Sequence, residues 1–319
     1  MKHFWQNVML LSPVFTKENN NPFLPLKSQT SNCLTFFLFS VIIFLERVKR
    51  MVNTYGYSRK PREEDEAILA AVKRHHDAVA AKGYLVVFTS LVGSQNYDLD
   101  DENSDVDTFS FVYPPLSDLA LGKEPYAGMF EFEGGHCEIK DIRLALNLLR
   151  KASPNSVEYF TSKYKVYNPI FEPILKEYID DNTRLWNMIH CNYNHMLYAI
   201  AGMAHQLTKR NMPAGKRAAH ALRLDNMVFH FLNSTNAGAV LDMRMHGDRD
   251  YALLVKRDTN PEHEKEYNEQ TELIALRLDD TKDKFQLTAE QEAIQQYGLS
   301  LIDSFQWKLF KKYLMETNK

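Results

Sequence analysis

Residues 62–83, REEDEAILAAVKRHHDAVAAKG, open with acids, carry apolar side chains at Ile68, Leu69, Val72 and Val79, and close on a glycine. Acids favour a helix N-terminus and glycine ends a helix, so this stretch predicts one amphipathic helix. Its adjacent His75 and His76 have no acid or cysteine at ligand spacing and read as ordinary helix surface. Residues 84–92, YLVVFTSLV, form a continuous apolar run of strand length. Residues 105–113, DVDTFSFVY, alternate as a strand does before Pro114 and Pro115 stop them. Two further short strands are expected over 129–133 and 136–140, joined as a hairpin about Gly134 and Gly135. Ile142, Leu146 and Leu149 then recur at helical spacing, and Ser153 in SPNSVEYF marks another helix start.

The second half changes in kind. Long helical patterns cover 183–210, 215–232, 262–278 and 289–315, with a short extended piece at 240–245 and a shorter helix at 248–257. The order predicts an α+β protein, a small mixed sheet with flanking helices followed by a helical domain. The expected boundaries are an N-terminal extension at 1–50, a sheet domain at 51–165 and a helical domain at 166–319.

The first fifty residues stand apart. Their apolar run, CLTFFLFSVIIFL, is thirteen residues long, short of the roughly 20 that span a bilayer. It also lacks the charge and cleavage pattern of a signal peptide, so no stable membrane association is expected. ERVKR immediately before Met51 can be encoded by a purine-rich ribosome-binding sequence, and the working protein is expected to begin at Met51.

Composition adds little beyond this. A net charge of -3 with 25% charged residues leaves any polyanion site to a local patch. Cys33, Cys137 and Cys191 lie far apart, which argues against a disulfide framework or a zinc site and fits a reducing, cytoplasmic setting.

The chemistry concentrates in GSQNYDLDDENSDVDTF, residues 93–109. Asp98, Asp100, Asp101, Glu102, Asp105 and Asp107 repel one another at that density. No register supplies both the central glycine and the closing glutamate of an EF-hand loop. Asp105 and Asp107 open a strand two residues apart, so their carboxylates share a face roughly 7 Å apart along the chain. Such hard oxygen ligands suit magnesium or manganese, and substitution of the loop acids Asp101 and Glu102 is expected to change little. Gly93 and Ser94 form a turn whose backbone N–H groups can hold phosphate oxygens.

GSQNYDLDDENSDVD resembles the G-S-x-x-Y-x-L...S-D-x-D signature of DNA polymerase beta-type nucleotidyltransferases, in the form found in the bacterial and phage RNA-repair-pathway family. IRLALNLLRKASPNSVEYF is similar to that family's leucine-rich helix followed by N-P-x-x-x-E-x-L, and KRAAHALRL to its basic K-x-x-x-H-x-x-R-L helix. The resemblance covers roughly residues 84–257. Asp98 and Thr108-Phe109 stand where the family often has Gly and Arg, a departure that bears on substrate detail.

The resemblance implies transfer of a nucleoside monophosphate from a nucleoside triphosphate to a hydroxyl, with pyrophosphate released. Asp105, Asp107 and a third carboxylate would hold magnesium or manganese, and Gly93 and Ser94 the phosphates. In HCEIKD, alternation puts His136, Glu138 and Lys140 on one face, making Glu138 the first choice for the third carboxylate and Asp141 the second. Lys216, His220 and Arg223 recur at i, i+4 and i+7 as a basic stripe suited to phosphate. The family name points to an RNA end, such as that of a tRNA, as acceptor. The rival readings are AMP transfer to a protein or small-molecule hydroxyl, and a non-catalytic nucleotide-binding protein.

Overall fold

The computed structural model describes residues 63–101, 104–132, 134–241, 243 and 248–317. Residues 1–50, the start at Met51, Glu102 and parts of the piece expected at 240–245 lie outside them. All the described residues belong to one compact unit, 56–319.

The first helix, α1 (Glu63–Ala81), leads through Gly83 into β1 (Leu85–Val92). A 3-10 turn (Ser94–Tyr97) and a loop precede β2 (Asp107–Tyr113), which ends at the two prolines before α2 (Leu116–Ala120). The strands β3 (Ala127–Phe132) and β4 (Gly135–Asp141) form the expected antiparallel hairpin. Then come α3 (Ile142–Arg150), α4 (Pro154–Thr161) and β5 (Lys165–Tyr167). The boundary drawn between residues 165 and 166 runs through this last strand. The sheet is mixed, in the order β3-β4-β2-β1-β5, with β2 and β4 parallel and the other neighbours antiparallel. The architecture is α+β, as the pattern predicts.

Helices fill the rest: α5 (Glu172–Leu175), α6 (Asn182–Ile189), α7 (Tyr193–Lys209), α8 (Ala214–Asn233), α9 (Asp248–Arg257), α10 (Glu264–Lys284) and α11 (Ala289–Thr317). The pattern over 183–210 is not one helix. It breaks at His190–Asn192, where Asn192 accepts a hydrogen bond from His195 N–H at 3.0 Å and so caps a new helix. Buried His190 fills the gap, its ring nitrogens lying 2.6 Å from the Trp186 carbonyl and 2.7 Å from that of Phe231. Within the piece expected to be extended, Val240 and Leu241 instead end a 3-10 turn, Ala237–Leu241. Among the described residues no helix is long and apolar enough to cross a membrane.

The two sheet faces are buried differently. Phe88, Phe109 and Phe111 join α3, α4, α8 and α11 through Leu146, Phe160, Phe231 and Phe305 in the main core. Val86, Val112, Cys137 and Ile139 pack on Val79 of α1. The expectation for His75 and His76 is overturned here, because both are buried under the sheet. Their Nδ1 atoms lie 2.9 Å from Thr108 Oγ1 and 3.1 Å from Thr89 Oγ1, and Thr89 bonds Ser110 at 2.7 Å. A buried polar group needs a partner, and the strand hydroxyls on this face supply one for each imidazole.

Candidate functional site

The turn after β1 depends on Gly93. Its φ of 76° and ψ of -159° lie in a region that is essentially glycine's alone, and a Cβ there would stand 3.3 Å from Asp107 Oδ2. The chain therefore passes close against the start of β2. The turn closes where Leu99 N–H donates to Ser94 O at 2.9 Å, with Tyr97 and Leu99 buried as apolar anchors within the acid run.

The acids beyond the turn are not simply solvated. Arg249 Nε donates to Asp98 O at 2.9 Å and Lys256 Nζ to Leu99 O at 2.6 Å, so α9 grips the loop backbone. Lys256 Nζ also lies 3.3 Å from Asp101 Oδ2, and Ser104 Oγ accepts from Asp101 N–H at 2.9 Å. The charge of Asp101 is thus met by a lysine from a helix about 150 residues away in sequence.

Strand alternation places the other carboxylates. Phe109 sits beside Glu138 across the parallel β2–β4 pair, and Phe109, Glu138 and Lys140 line one cavity. Asp141 is fully buried and committed elsewhere: it caps α3 by accepting from Arg143 N–H at 2.8 Å and pairs with the Arg143 guanidinium at 2.6 Å. Of the two choices for a third carboxylate, Glu138 is the one at the cavity.

Asp105 is exposed, Asp107 is partly exposed, and neither is part of the cavity lining. Asp107 Oδ1 lies 2.7 Å from His136 Nδ1. Burial pushes the Asp107 carboxyl above its usual pKa, opposed by His136 and reinforced by the charges of Asp105 and Glu138. Among the described residues no three His, Cys, Asp or Glu side chains group as a ready cage for a metal ion. In kind the donors still fit a hard divalent cation, being carboxylates, with Asp105 and Glu138 near enough to Asp107 to raise its pKa.

The opposite wall is basic. Gly215 lets α8 and α9 meet, since a Cβ there would stand 2.2 Å from Val255 O. Lys216, His220 and Arg223 of α8 all line the cavity, together with Lys256 of α9 and with Gly93 and Ser94 of the turn. Six of the eight site residues expected from the sequence thus meet in one place, and Asp105 and Asp107 lie outside its lining. Burial lowers the His220 pKa to about 3, helped by Arg223, Lys216, Lys256 and Arg210, so the imidazole is neutral at pH 7. The Arg223 guanidinium stacks over the Tyr97 ring at 4.2 Å, and its buried Nε has no acceptor among the described residues. His205 is held apart from this stripe by its pairing with Asp279 of α10.

Glu158, Tyr97, Lys140 and Lys256, none of them among the site residues expected from the sequence, also line the cavity. Glu158 of α4 is only 8% exposed and accepts from Gly93 N–H at 2.7 Å. Burial raises its pKa, against the Arg223 charge and the hydrogen bond from Gly93. Signals for both Glu158 and Tyr97 were present: they stand at the E of the quoted N-P-x-x-x-E-x-L pattern and the Y of G-S-x-x-Y, and SPNSVEYF puts a lone acid among residues that pack inward. For Lys256, a lysine in a basic pair at a helix end, the sequence held none. No protein-family model and no curated protein matches this chain.

The cavity therefore joins a backbone turn, a single sheet carboxylate, Glu138, with Lys140 beside it, and a cationic wall from the helices. It suits an anionic ligand.

Proposed function

We propose that the protein is a DNA polymerase beta-type nucleotidyltransferase, moving a nucleoside monophosphate from a nucleoside triphosphate to a hydroxyl acceptor and releasing pyrophosphate. The observation that carries this reading is the convergence of the Gly93–Ser94 turn, Glu138 and the Lys216, His220, Arg223 stripe on one cavity, from three distant stretches of chain. A charged face left to solvent has no reason to meet a glycine-serine turn at such a place.

In this reading Lys216, Arg223 and Lys256 hold the phosphate chain, and the neutral His220 offers it a hydrogen bond. The Ser94 hydroxyl completes the cradle, while Gly93 N–H is already given to Glu158. Asp105, Asp107 and Glu138 are the residues that would hold magnesium or manganese, which when bound neutralises charge on the triphosphate. An acceptor hydroxyl attacks the α-phosphorus in line, the bond to the bridging oxygen breaks, and pyrophosphate leaves with that electron pair. Glu138, at the cavity wall, is placed to take the hydroxyl proton. An RNA end remains the proposed acceptor, on the sequence resemblance alone.

The test is incubation with magnesium, α-labelled nucleotides and separate RNA, protein and metabolite pools. Label in RNA supports the full reading, and label in protein or a metabolite keeps the reaction but changes the acceptor. Nucleotide binding without label in any pool leaves a non-catalytic nucleotide-binding protein.

A further inference from the structure

Glu158 is a carboxylate on the wall of a cavity read as an anion site, where simple electrostatics would exclude it. Its contacts explain its presence. It accepts from Gly93 N–H at 2.7 Å, which fixes the entry to the turn. Tyr97, the last residue of the same turn, carries the Arg223 guanidinium on its ring at 4.2 Å. Glu158 thus holds the turn directly and reaches the basic stripe through the turn's own Tyr97, while sitting on neither element. Arg223 keeps a buried Nε with no acceptor among the described residues, a donor left for a ligand.

We propose that Glu158 is a positioning residue that anchors the Gly93–Ser94 turn at Gly93 N–H and, with the turn, the Tyr97 ring that carries Arg223, so that turn and arginine address one phosphate chain. This rests on the nucleotide reading of the cavity. Its role is exerted through Gly93 N–H and the turn rather than on the reacting atoms.

The test is calorimetric binding of magnesium ATP, and separately of sodium pyrophosphate, to the full chain and its variants. Glu158→Ala removes the acceptor for Gly93 N–H and is expected to weaken ATP by about tenfold or more, the scale of losing a charge-assisted hydrogen bond. Glu158→Gln removes the charge and keeps one acceptor oxygen, enough for Gly93 N–H, so it should weaken ATP by a smaller factor and partly rescue the alanine variant. A carboxylate acting by charge alone would give the opposite sign, because either change would then tighten phosphate binding. In an Arg223→Ala background Glu158→Ala should cost less than it does alone, since the residue it positions is gone.

Equal or tighter ATP binding by Glu158→Gln, or additive losses in the double variant, overturns the proposal while the nucleotide reading stands. If Glu158→Ala does not fold, the glutamine variant decides alone. Wild-type protein that binds neither ATP nor pyrophosphate overturns the nucleotide reading and this proposal with it.

Discussion

Gly93 shows how one residue's backbone sets the site. Its left-handed φ of 76° is strained for any side chain, and a methyl group there would press on Asp107 Oδ2 at 3.3 Å. Gly93→Ala should therefore lose about 1 to 3 kcal/mol of stability, read as a lower urea midpoint with an unchanged slope. His220 makes a second prediction, in pH. Its pKa falls from 6.5 unfolded to about 3 folded, so between those values the unfolded chain binds a proton that the folded protein refuses. Stability must then rise with pH across that window, and His75, lowered to about 4 chiefly by burial, adds in the same direction. His220→Gln should flatten this rise, measured as a smaller gap between urea midpoints near pH 4 and pH 7. At this scale the sequence was readable where chemistry follows strand alternation, as for Glu138. It was unreadable for His75 and His76, whose burial depends on hydroxyls contributed by two strands elsewhere in the chain.

Elements announced themselves where period and punctuation agreed. The helix α1, the β3–β4 hairpin and the stripe on α8 follow from spacing, because each buries a face that recurs at its own period. The break between α6 and α7 was hidden. Apolar residues continue at helical spacing across it, and only the capping side chain of Asn192 marks the new start. The three-residue β5 is too short for any period to show, and exists because β1 offers it an edge. The contact of α8 with α9 at Gly215 likewise joins two helices that no local pattern links. Gly215→Val should push the Val255 carbonyl away and move Lys256 from the cavity. The expected outcome is a lower melting temperature and weaker ATP binding, whereas Gly202→Ala, inside α7 with open space around it, should lower neither.

Across the whole described unit, the sheet and the helical region bury their apolar faces in one core, from Phe109 and Phe111 to Phe231 and Phe305. That shared core places the glycine-serine turn opposite the basic stripe, which is why residues far apart in sequence line one cavity. The central claim is that the acids at the start of β2 serve nucleotidyl transfer. Asp107→Asn keeps the side chain's size and removes its charge, and relieves a carboxyl whose pKa is already raised, first by burial and then by neighbouring Asp105 and Glu138. The direct measurement is magnesium-dependent transfer from α-labelled nucleotide by Asp107→Asn, beside the exposed α10 variant Glu269→Gln and with thermal melting of both. The account predicts a loss of at least about a hundredfold for Asp107→Asn, with melting unchanged or raised, and no loss for Glu269→Gln. Transfer by Asp107→Asn equal to that of Glu269→Gln would contradict it.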